Sequence, residues 1–519
     1  MKHLEELLEK LEYEGDILQK EREISALVSD SRKLCPDCVF VAIRGEHFDG
    51  HSAICEAAGK KAAAVIAESA DEEQKNACRN AGTELILTAD SRRALAVCSA
   101  AWFDHPASRL CTIGITGTKG KSSTALMIQT ALNRLGIPCG LVGTIEIDTG
   151  SRRIPSKNTT PESYELQEAF SEMADNGLKA VVAEVSSQGL MMHRTDGFVF
   201  DIGIFTNISP DHIGPREHRD FADYLHCKSL LFRQTRIGCV NADDPHMGEI
   251  LKDNSCEEIR SFGFADGALK RASGLGLEKQ GGHPGVRFMA EGFATEAEEL
   301  WLPFPGRFSV SNILAAMTAL EAAGEYLGQK FTLKSMAEAI SHTVIKGRIE
   351  LLPVSKDYSL MIDYAHNAVA LESLLTTLRE YGKGRLVTLF GCGGDRAKSR
   401  RFEMGEVSGR LSDLSIITSD NPRSEDPMAI IEDILSTLRE SGGEYVTIPD
   451  RKEAIAYAIE HARPEDIIIL AGKGHEDYQE IKGVKYPMDE RKLVMEILKE
   501  RGDTEALSAM QKRYPELGV

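Results

Sequence analysis

One short segment constrains the fold more than any other part of the chain. Thr116-Gly-Thr-Lys-Gly-Lys-Ser-Ser123 follows the apolar run Cys111–Ile115, and after it apolar residues recur at helical spacing, at Ile128, Ala131, Leu132 and Leu135. Glycines let backbone N–H groups close around a phosphate, the helix start favours the anion, and Lys121 adds positive charge. Ile115 stands where the usual motif has its first glycine, so this is a shortened variant. The strand–loop–helix context predicts a nucleotide-phosphate loop rather than an ordinary turn.

The rest of the chain predicts an α/β protein of several domains. A length of 519 residues exceeds what one hydrophobic core usually supports and indicates about three domains, which we place at 1–107, 108–346 and 347–519. Strand-like runs alternate with helical patterns in the first and third of these, at Cys38–Ile43, Ala63–Ile66, Glu84–Leu87, Ser359–Asp363, Arg385–Phe390, Leu414–Thr418 and Ile467–Ala471. This alternation predicts a parallel, doubly wound sheet in the third domain.

Each predicted strand of the third domain runs directly into a polar segment. These segments are Asp363–His366, Gly391–Arg396, Ser419–Arg423 and Gly472–Glu476. Open α/β sheets bind ligands beyond the carboxyl ends of their strands. An ordinary surface loop would account for one such segment but accounts poorly for all four. The pattern therefore predicts a ligand site at this edge of the sheet.

Two residues of the middle domain stand out, Glu184 as a metal ligand and Lys228 for its apolar surroundings. Glu184 ends the predicted strand Lys179–Ser187, and a strand-end carboxylate beside a phosphate loop is a plausible Mg²⁺ ligand. Lys228 falls on the apolar face of a helical pattern with Phe221, Leu225, Leu231 and Phe232. A buried ammonium is costly, so this side chain either reaches out to solvent or has altered chemistry.

Composition excludes several classes of function. The net charge of −19 argues against a nucleic-acid surface, because phosphate backbones need clustered Lys and Arg. No apolar run is long enough to span a membrane, and the N-terminus lacks the features of a signal peptide. The odd number of cysteines, 11, suits reduced thiols, and we treat the lone pair Cys35 and Cys38 as chance. We therefore expect a cytoplasmic protein without nucleic-acid partners or membrane insertion.

Taken together, the motifs resemble those of the Mur ligase family along essentially the whole chain. In family order they are Gly117–Ser123, Asn158-Thr-Thr-Pro-Glu162, Glu184-Val-Ser-Ser187, Thr206-Asn207, Asp211-His212, Lys228, Asn312, Gly347-Arg348, Asp363–His366, Asp420-Asn-Pro-Arg423 and Gly472–Glu476. Any one of them is weak, but their joint order is specific. The resemblance implies an N-terminal uridine-nucleotide domain, a central ATPase-type domain and a C-terminal Rossmann-like domain that binds an amino acid.

The resemblance also implies roles for individual residues. ATP would contact Gly117, Thr118, Lys119, Gly120, Lys121, Ser122, Ser123, Asn312 and Arg348. Mg²⁺ would be held by Ser122, Glu184, His212 and Lys228, the last as a carbamate, which explains a buried lysine. Asp363 and His366 would lie near the phosphates, and they complete the predicted catalytic set with Lys121, Glu184, His212 and Lys228.

Further residues match substrate contacts of the family. The UDP-muramoyl-peptide would contact Ser31, His47, Asp49, Asn158, Thr159, Thr160, Ser186 and Arg194. The incoming amino acid would contact Arg396, Asp420, Asn421, Pro422, Arg423, Gly472 and Glu476. Arg423 suits a second carboxylate on that amino acid, which favours meso-diaminopimelate over L-lysine.

The activity implied is ATP-dependent addition of meso-diaminopimelate to UDP-N-acetylmuramoyl-L-Ala-D-Glu through an acyl phosphate, by a monomer. At Gln188, Met192, Ser309 and Asn367 the sequence departs from residues that are frequent in related enzymes. An L-lysine-adding ligase or another paralogue is therefore a remaining alternative. A folylpolyglutamate synthetase shares the loop and central fold, but the long N-terminal domain and Asp420–Arg423 count against it. A non-catalytic nucleotide-sugar-binding protein is disfavoured by the joint presence of Lys121, Glu184, His212 and Lys228. No switch-like loop supports an NTP-driven motor.

Overall fold

The computed structural model describes residues 2–15, 17–45, 48–214, 217–280, 283–382 and 384–518. The chain forms two compact units. The first comprises Met1–Ala272, Ala290–Glu298 and Ser311–His342, and the second comprises Ser273–Met289, Glu299–Val310 and Thr343–Val519. Within the described part of the chain, no helix combines the length and apolar character needed to cross a membrane.

The N-terminal part of the first unit is built on a small parallel sheet. Its strands, in spatial order, are β3 (Ala26–Val28), β4 (Cys38–Val41), β5 (Ala64–Ala67) and β6 (Glu84–Leu87), while β1 (Lys2–His3) pairs antiparallel with β2 (Glu23–Ile24). The helices are α1 (Leu4–Leu8), α2 (Ile54–Gly59), α3 (Glu72–Ala81) and α4 (Ser91–Trp102). The three strands predicted here are confirmed, with ends that differ by at most two residues.

A larger sheet carries the phosphate loop. Its strands within the first unit are β7 (Cys111–Thr116), β8 (Cys139–Val142), β9 (Glu146–Asp148), β10 (Arg153–Pro155), β11 (Ala180–Glu184), β12 (Phe200–Phe205), β13 (Thr235–Asn241) and β14 (Glu258–Gly263). The spatial order is β10-β9-β8-β11-β7-β12-β13-β14, and only the pairs that involve β9 are antiparallel. Every residue of β7, β11 and β12 is buried, as expected of central strands covered on both faces.

Helices cover this sheet and connect its strands. They are α5 (Lys121–Arg134), α6 (Ser163–Asp175), α7 (Ser187–Met191), α8 (Phe221–Ser229), α9 (Met247–Ile250), α10 (Arg307–Tyr326) and α11 (Leu333–Ser341). Strands β15 (Lys270–Gln280), β16 (His283–Glu291) and β17 (Glu298–Leu302), which we did not predict, have residues in both units, as does α10. Short 3₁₀ turns occur at Ser31–Lys33, Gly50–Ala53, Pro106–Arg109, Leu230–Gln234 and Pro515–Leu517.

The second unit contains the predicted parallel sheet. Its strands are β18 (Glu350–Leu352), β19 (Ser359–Asp363), β20 (Leu386–Phe390), β21 (Leu414–Ile417), β22 (Tyr445–Thr447) and β23 (Ile467–Ala471), and β24 (Tyr478–Ile481) forms a hairpin with β25 (Val484–Pro487). The order is β18-β19-β23-β20-β21-β22. All neighbours are parallel except β18, an antiparallel edge strand that corrects our all-parallel prediction.

Helices separate the strands of the second unit in the way that the alternating pattern predicted. They are α12 (Ala368–Arg379), α13 (Ser399–Leu411), α14 (Pro427–Glu440), α15 (Arg451–Glu460), α16 (Glu490–Glu500) and α17 (Thr504–Arg513). Because β19, β20, β21 and β23 are parallel neighbours, their carboxyl ends meet at one edge, where the four polar segments begin.

A buried carboxylate ties the C-terminus to this sheet. Glu350 is 3% exposed, and it accepts hydrogen bonds from the Nε of Arg491 (2.8 Å), the hydroxyl of Tyr514 (2.8 Å) and the backbone N–H of Gly347 (2.6 Å). We expect Glu350→Ala to lower the free energy of unfolding by about 3–5 kcal/mol, because it leaves the buried guanidinium without its counter-charge. Urea denaturation followed by circular dichroism measures the loss.

An exposed carboxylate of the same unit provides the control for that measurement. Glu505 faces Lys356 across 3.3 Å, and both side chains are more than four-fifths exposed. Glu505→Ala should change the free energy of unfolding by no more than about 1 kcal/mol, as is usual for surface ion pairs. Equal effects of the two substitutions would contradict the role given to burial at Glu350.

Candidate functional site

The phosphate loop lies between β7 and α5 as predicted, and its glycines have backbone conformations that other residues rarely adopt. Gly117 has φ 148° and Gly120 has φ 86°. A Cβ on Gly117 would lie 1.9 Å from Oγ1 of Thr206, and one on Gly120 would lie 2.4 Å from Oδ1 of Asn312. Both positions therefore require glycine. The contact also places Asn312, a predicted ATP contact, directly against the loop.

Two lysines converge on the same backbone carbonyl of this loop. The Nζ of Lys121 donates to the O of Gly117 (2.8 Å) and of Thr118 (3.2 Å), and the Nζ of Lys228 also donates to the O of Gly117 (2.9 Å). Lys228 is 1% exposed, so its side chain does not reach out to solvent, which was one of the two alternatives that the sequence left open. Burial, reinforced by the charge of Lys121, holds the pKa of Lys228 well below its ordinary value. Burial also lowers the pKa of Lys121.

Oxygen ligands are grouped beside the loop. Glu184, at the end of β11, is 2% exposed and accepts hydrogen bonds from the hydroxyl of Ser122 (2.8 Å) and from the N–H (2.9 Å) and hydroxyl (3.0 Å) of Thr144. The charges of Glu184 and Asp211 both raise the pKa of Lys121 against the effect of burial, so these carboxylates lie within electrostatic reach of it. The predicted pair Ser122 and Glu184 is thus in direct contact.

His212 is the most exposed of the predicted metal ligands. Its side chain is 53% exposed, its Nδ1 lies 2.9 Å from Oε1 of Glu217, and its ring centre is 6.2 Å from that of Tyr224. Tyr224 in turn lies under the Nζ of Lys228 (4.6 Å to the ring centre) and contacts the hydroxyl of Thr118 (3.1 Å). His212 also has φ 54°, a strained conformation of the kind that clusters at functional sites.

Most of the predicted muramoyl-peptide contacts adjoin Glu184. The Oγ1 of Thr160 donates to the backbone O of Glu184 (3.0 Å) and accepts from the N–H of Ser186 (2.9 Å), while Arg194 donates to the O of Thr160 (2.9 Å). Thr159 reaches the same group through Thr144, with 3.2 Å between the hydroxyls. Asn158 is exposed next to them.

Of the predicted uridine contacts, Ser31 and Asp49 lie in the segments that follow β3 and β4 of the N-terminal sheet. Ser31 begins a short helical turn whose cap is Asp30, and Asp49 accepts a hydrogen bond from the N–H of His51 (3.0 Å) and lies 3.7 Å from the guanidinium of Arg44. His47 lies outside the described residues. Asp49 is therefore partnered within its own loop.

In the second unit, predicted ATP-site residues meet around an aromatic ring. The guanidinium of Arg348 lies 5.5 Å from the ring centre of Tyr364, and the rings of His366 and His475 lie 4.6 and 4.9 Å from it. Asp363 accepts hydrogen bonds from the N–H groups of Ile349 and Ala365, both at 2.8 Å. Burial raises the pKa of Asp363. These bonds fix the backbone on either side of the ring.

A fully buried lysine organises the predicted amino-acid site. The Nζ of Lys473 donates to Oδ1 of Asn421 (2.6 Å) and to the O of Tyr478 (2.8 Å), and it lies 3.2 Å from Asp420 and 3.5 Å from Glu476. The other end of the Asn421 amide donates to Glu476 (3.0 Å). Our sequence analysis missed Lys473, although its place inside Gly472–Glu476 is a signal that points to it.

Arg423 lies at the open side of this cluster. Its Nη1 donates to the O of Gly394 (2.6 Å), and its Nε lies 3.3 Å from Oε2 of Glu480. The residue has φ 50°, and its side chain is 22% exposed. Arg396 is exposed on the loop that contains Gly394, Pro422 is buried beside Asn421, and Gly472 approaches Asp420 so closely that a Cβ would lie 3.0 Å from its carboxylate. All seven predicted amino-acid contacts thus lie on loops that follow β20, β21 and β23.

The first unit holds a phosphate loop with two lysines directed at one of its carbonyls, and the second unit holds a buried polar cluster beyond a parallel sheet. Both features agree with the nucleotide-dependent ligase that the motif order predicted. Sequence profiles agree: the profile described as "Mur ligase family, catalytic domain" matches residues 23–102, "Mur ligase middle domain" matches 115–320, and "Mur ligase, glutamate ligase domain" matches 347–474. The chain belongs to the Mur ligase family, as the motif order predicted.

Within the family, the chain is similar to proteins of one particular name. The chain is 41% identical over 479 residues to the UDP-N-acetylmuramoyl-L-alanyl-D-glutamate--2,6-diaminopimelate ligase of Caldanaerobacter subterraneus subsp. tengcongensis, covering 92% of this chain and 95% of that protein. It is 36% identical to the enzyme of the same name from Clostridium perfringens, covering 95% and 99%. A solved structure of a ligase of that name superimposes with a TM-score of 0.75 at 26% identity, covering 96% of this chain and 99% of the other.

Proposed function

We propose that this protein is the ATP-dependent ligase that joins meso-diaminopimelate to UDP-N-acetylmuramoyl-L-Ala-D-Glu in the cytoplasm, as a step of peptidoglycan synthesis. The observation that carries the proposal is that Arg423, which pairs with Glu480, and the acidic cluster around Lys473 lie on loops at the same sheet edge. This is a site for an amino acid whose far end carries both charges. The names of the similar proteins, which specify 2,6-diaminopimelate, support the same substrate.

The residues around the phosphate loop suit ATP with Mg²⁺. Backbone N–H groups at the start of α5 and the ammonium of Lys121 would bind the phosphates. Mg²⁺ prefers oxygen ligands, and Ser122 and Glu184 offer a hydroxyl and a carboxylate 2.8 Å apart. Bound there, the ion would supply charge neutralisation for the transferring phosphoryl group. His212 and a carbamate on Lys228 would complete the ligand set.

The proposed reaction has two steps. The γ-carboxylate of the D-glutamyl residue attacks the γ-phosphorus of ATP, the bond to the bridging oxygen breaks, and ADP leaves with the electron pair. The amine of the incoming amino acid, as the free base, then attacks the acyl carbon, and inorganic phosphate leaves from the tetrahedral intermediate. Lys121 would offset charge on the oxygens of the transferring group. Thr160, Ser186 and Arg194, held together beside Glu184, would position the carboxylate.

Charge complementarity would select the amino acid. meso-Diaminopimelate carries an ammonium and a carboxylate at its far end, whereas L-lysine carries only the ammonium. Arg423 offers a guanidinium for the carboxylate, and Asp420 and Glu476 offer acceptors for the ammonium. We further propose that segments 1–107, 108–346 and 347–519 act as the uridine-nucleotide, ATP and amino-acid domains of a monomer.

The decisive experiment is ATP-dependent phosphate release by the purified protein with UDP-N-acetylmuramoyl-L-Ala-D-Glu. Meso-diaminopimelate, L-lysine and no amino acid are compared, and the product is identified by mass spectrometry. Release with meso-diaminopimelate, together with the tripeptide product, is the expected result. Release with L-lysine alone would keep the ligase and overturn the selectivity, and release with neither would overturn both.

Arg423→Ala tests selectivity within that assay. We expect KM for meso-diaminopimelate to rise about 10–100-fold, because a charge-assisted pair contributes about 1.5–3 kcal/mol, while KM for ATP stays within about twofold. Arg439→Ala, which removes a half-exposed guanidinium on α14, is the matched control and should leave both constants unchanged. An unchanged KM for meso-diaminopimelate in Arg423→Ala would contradict the assignment.

A further inference from the structure

A second cluster of metal-ligating side chains lies on α8, apart from the oxygen ligands of the phosphate loop. The Nδ1 or Nε2 of His218, a carboxylate oxygen of Asp223 and the Sγ of Cys227 all lie within 4.8 Å of one another. His218 is 0% exposed and Cys227 is 3% exposed. Asp223 and Cys227 occupy positions i and i+4 of α8, so they share one face of the helix, and His218 precedes the helix cap Asp220.

The hydrogen bonding of His218 leaves one ring nitrogen for a ligand. Its Nε2 lies 2.8 Å from the hydroxyl of Ser187. Its Nδ1 is buried and makes no hydrogen bond, and Oδ2 of Asp223 lies 3.5 Å from it. A buried ring nitrogen without a partner costs free energy unless something binds it. A metal-bound histidine usually makes a hydrogen bond to an outer partner through one ring nitrogen and binds the metal through the other.

We propose that His218, Asp223 and Cys227 form a site for a borderline divalent transition-metal ion such as Zn²⁺ or Co²⁺, distinct from the Mg²⁺ position. A nitrogen, an oxygen and a sulfur ligand suit such ions, whereas Mg²⁺ binds oxygen. Ligand bonds of about 2.0–2.3 Å require the three side chains to approach each other by roughly an ångström, which rotamer adjustment supplies. On binding, the Cys227 proton passes to solvent and the thiolate sulfur forms the bond.

Such an ion would brace the helix that serves the phosphate loop. Tyr224 and Lys228, which contact Thr118 and Gly117, lie on α8 next to Asp223 and Cys227. His218 also donates its backbone N–H to the O of His212 (3.0 Å). Binding of the ion would therefore fix the segment that contains His212 against α8, the helix that contains Lys228.

Titration of the full-length protein with Co²⁺, in the absence of nucleotide, tests the proposal. We expect one equivalent to bind with a near-ultraviolet sulfur-to-cobalt absorption band, and excess Mg²⁺ should leave the band in place. Cys227→Ser should abolish the band and weaken binding more than about tenfold, since even the loss of an outer partner costs 10–100-fold. Cys35→Ser is the matched control, because it removes the half-buried thiol of the only CxxC pair and should retain the band.

The outcomes separate this site from adventitious thiol binding. No Co²⁺ binding by the wild type, or a full band in Cys227→Ser, would overturn the proposal, as would loss of the band in Cys35→Ser alone. Asp223→Asn should weaken binding while keeping the sulfur band, and it serves if Cys227→Ser fails to fold. Because the readout is absorption without substrates, its result is independent of the proposed ligase activity.

Discussion

We expect Lys228→Ala to lower kcat for ligation by about 10²–10³-fold, the scale lost when one oriented charge partner is removed from an acyl-transfer site. Lys228 is 1% exposed and donates to the same Gly117 carbonyl as Lys121. Its substitution therefore removes one of only two cations that the described residues direct at this carbonyl. Phosphate release with saturating substrates measures the loss.

The same substitution tests whether Lys228 is carbamylated. Only a neutral amine attacks CO₂, and burial holds the pKa of Lys228 well below its ordinary value, which favours the neutral form. As the pH falls through that lowered pKa, the amine becomes protonated and the carbamate is lost, so activity should fall on acidification. Bicarbonate should restore activity to CO₂-depleted wild-type enzyme. It should not restore activity to Lys228→Ala.

A neighbour on the same helix provides the control for Lys228. His226 is exposed on α8, and His226→Ala should leave kcat within about twofold, as expected of a surface substitution away from special features. Circular dichroism of both variants separates lost chemistry from lost folding. Full activity of a folded Lys228→Ala would contradict a role for the lysine or its carbamate.

Hydrophobic periodicity and short motifs predicted the elements that depend on one contiguous segment of sequence. The phosphate loop is a contiguous segment between a buried strand and an amphipathic helix, and both flanking elements lie where periodicity placed them. Helical spacing placed Lys228 on an apolar helix face, and the structure decided between burial and a side chain that reaches solvent. Edge strand β18 has only three residues, too few for a periodic signal, and it was missed.

Contacts between distant segments depend on strand order, which periodicity does not specify. Lys473 bonds to Asn421 only because β23 and β21 both lie next to β20. The hydrogen bond of Ser122 to Glu184 likewise requires β11 to lie next to β7. The resemblance to a family supplied the relevant residues as a set. Only the structure identified Thr144, which no local pattern distinguishes, and Lys473, which lies inside Gly472–Glu476 but was overlooked.

Lys473→Met should damage the amino-acid site more than Arg423→Ala does. Lys473 is 0% exposed, and it is the cation that faces Asp420 and Glu476 and fixes the Asn421 amide. Without it, two carboxylates remain close together with no intervening charge. Removing one partner of a buried ionic group costs about 3–5 kcal/mol. We therefore expect kcat/KM for meso-diaminopimelate to fall by about 10²–10⁴-fold, with KM for ATP nearly unchanged.

A loss of amino-acid binding without a loss of ATP binding would distinguish a positioning role of Lys473 from general destabilisation of the protein. If Lys473 acts by holding Asp420, Asn421 and Glu476 in place, a Lys473→Met enzyme that remains folded should still bind ATP normally and fail only toward the amino acid. Lys452→Met is the matched control, because it removes a lysine of α15 that pairs with the exposed Glu496 and Glu500 of the same unit. A parallel loss of ATP and amino-acid binding, or an unchanged kcat/KM, would show that the buried ammonium does not organise this site.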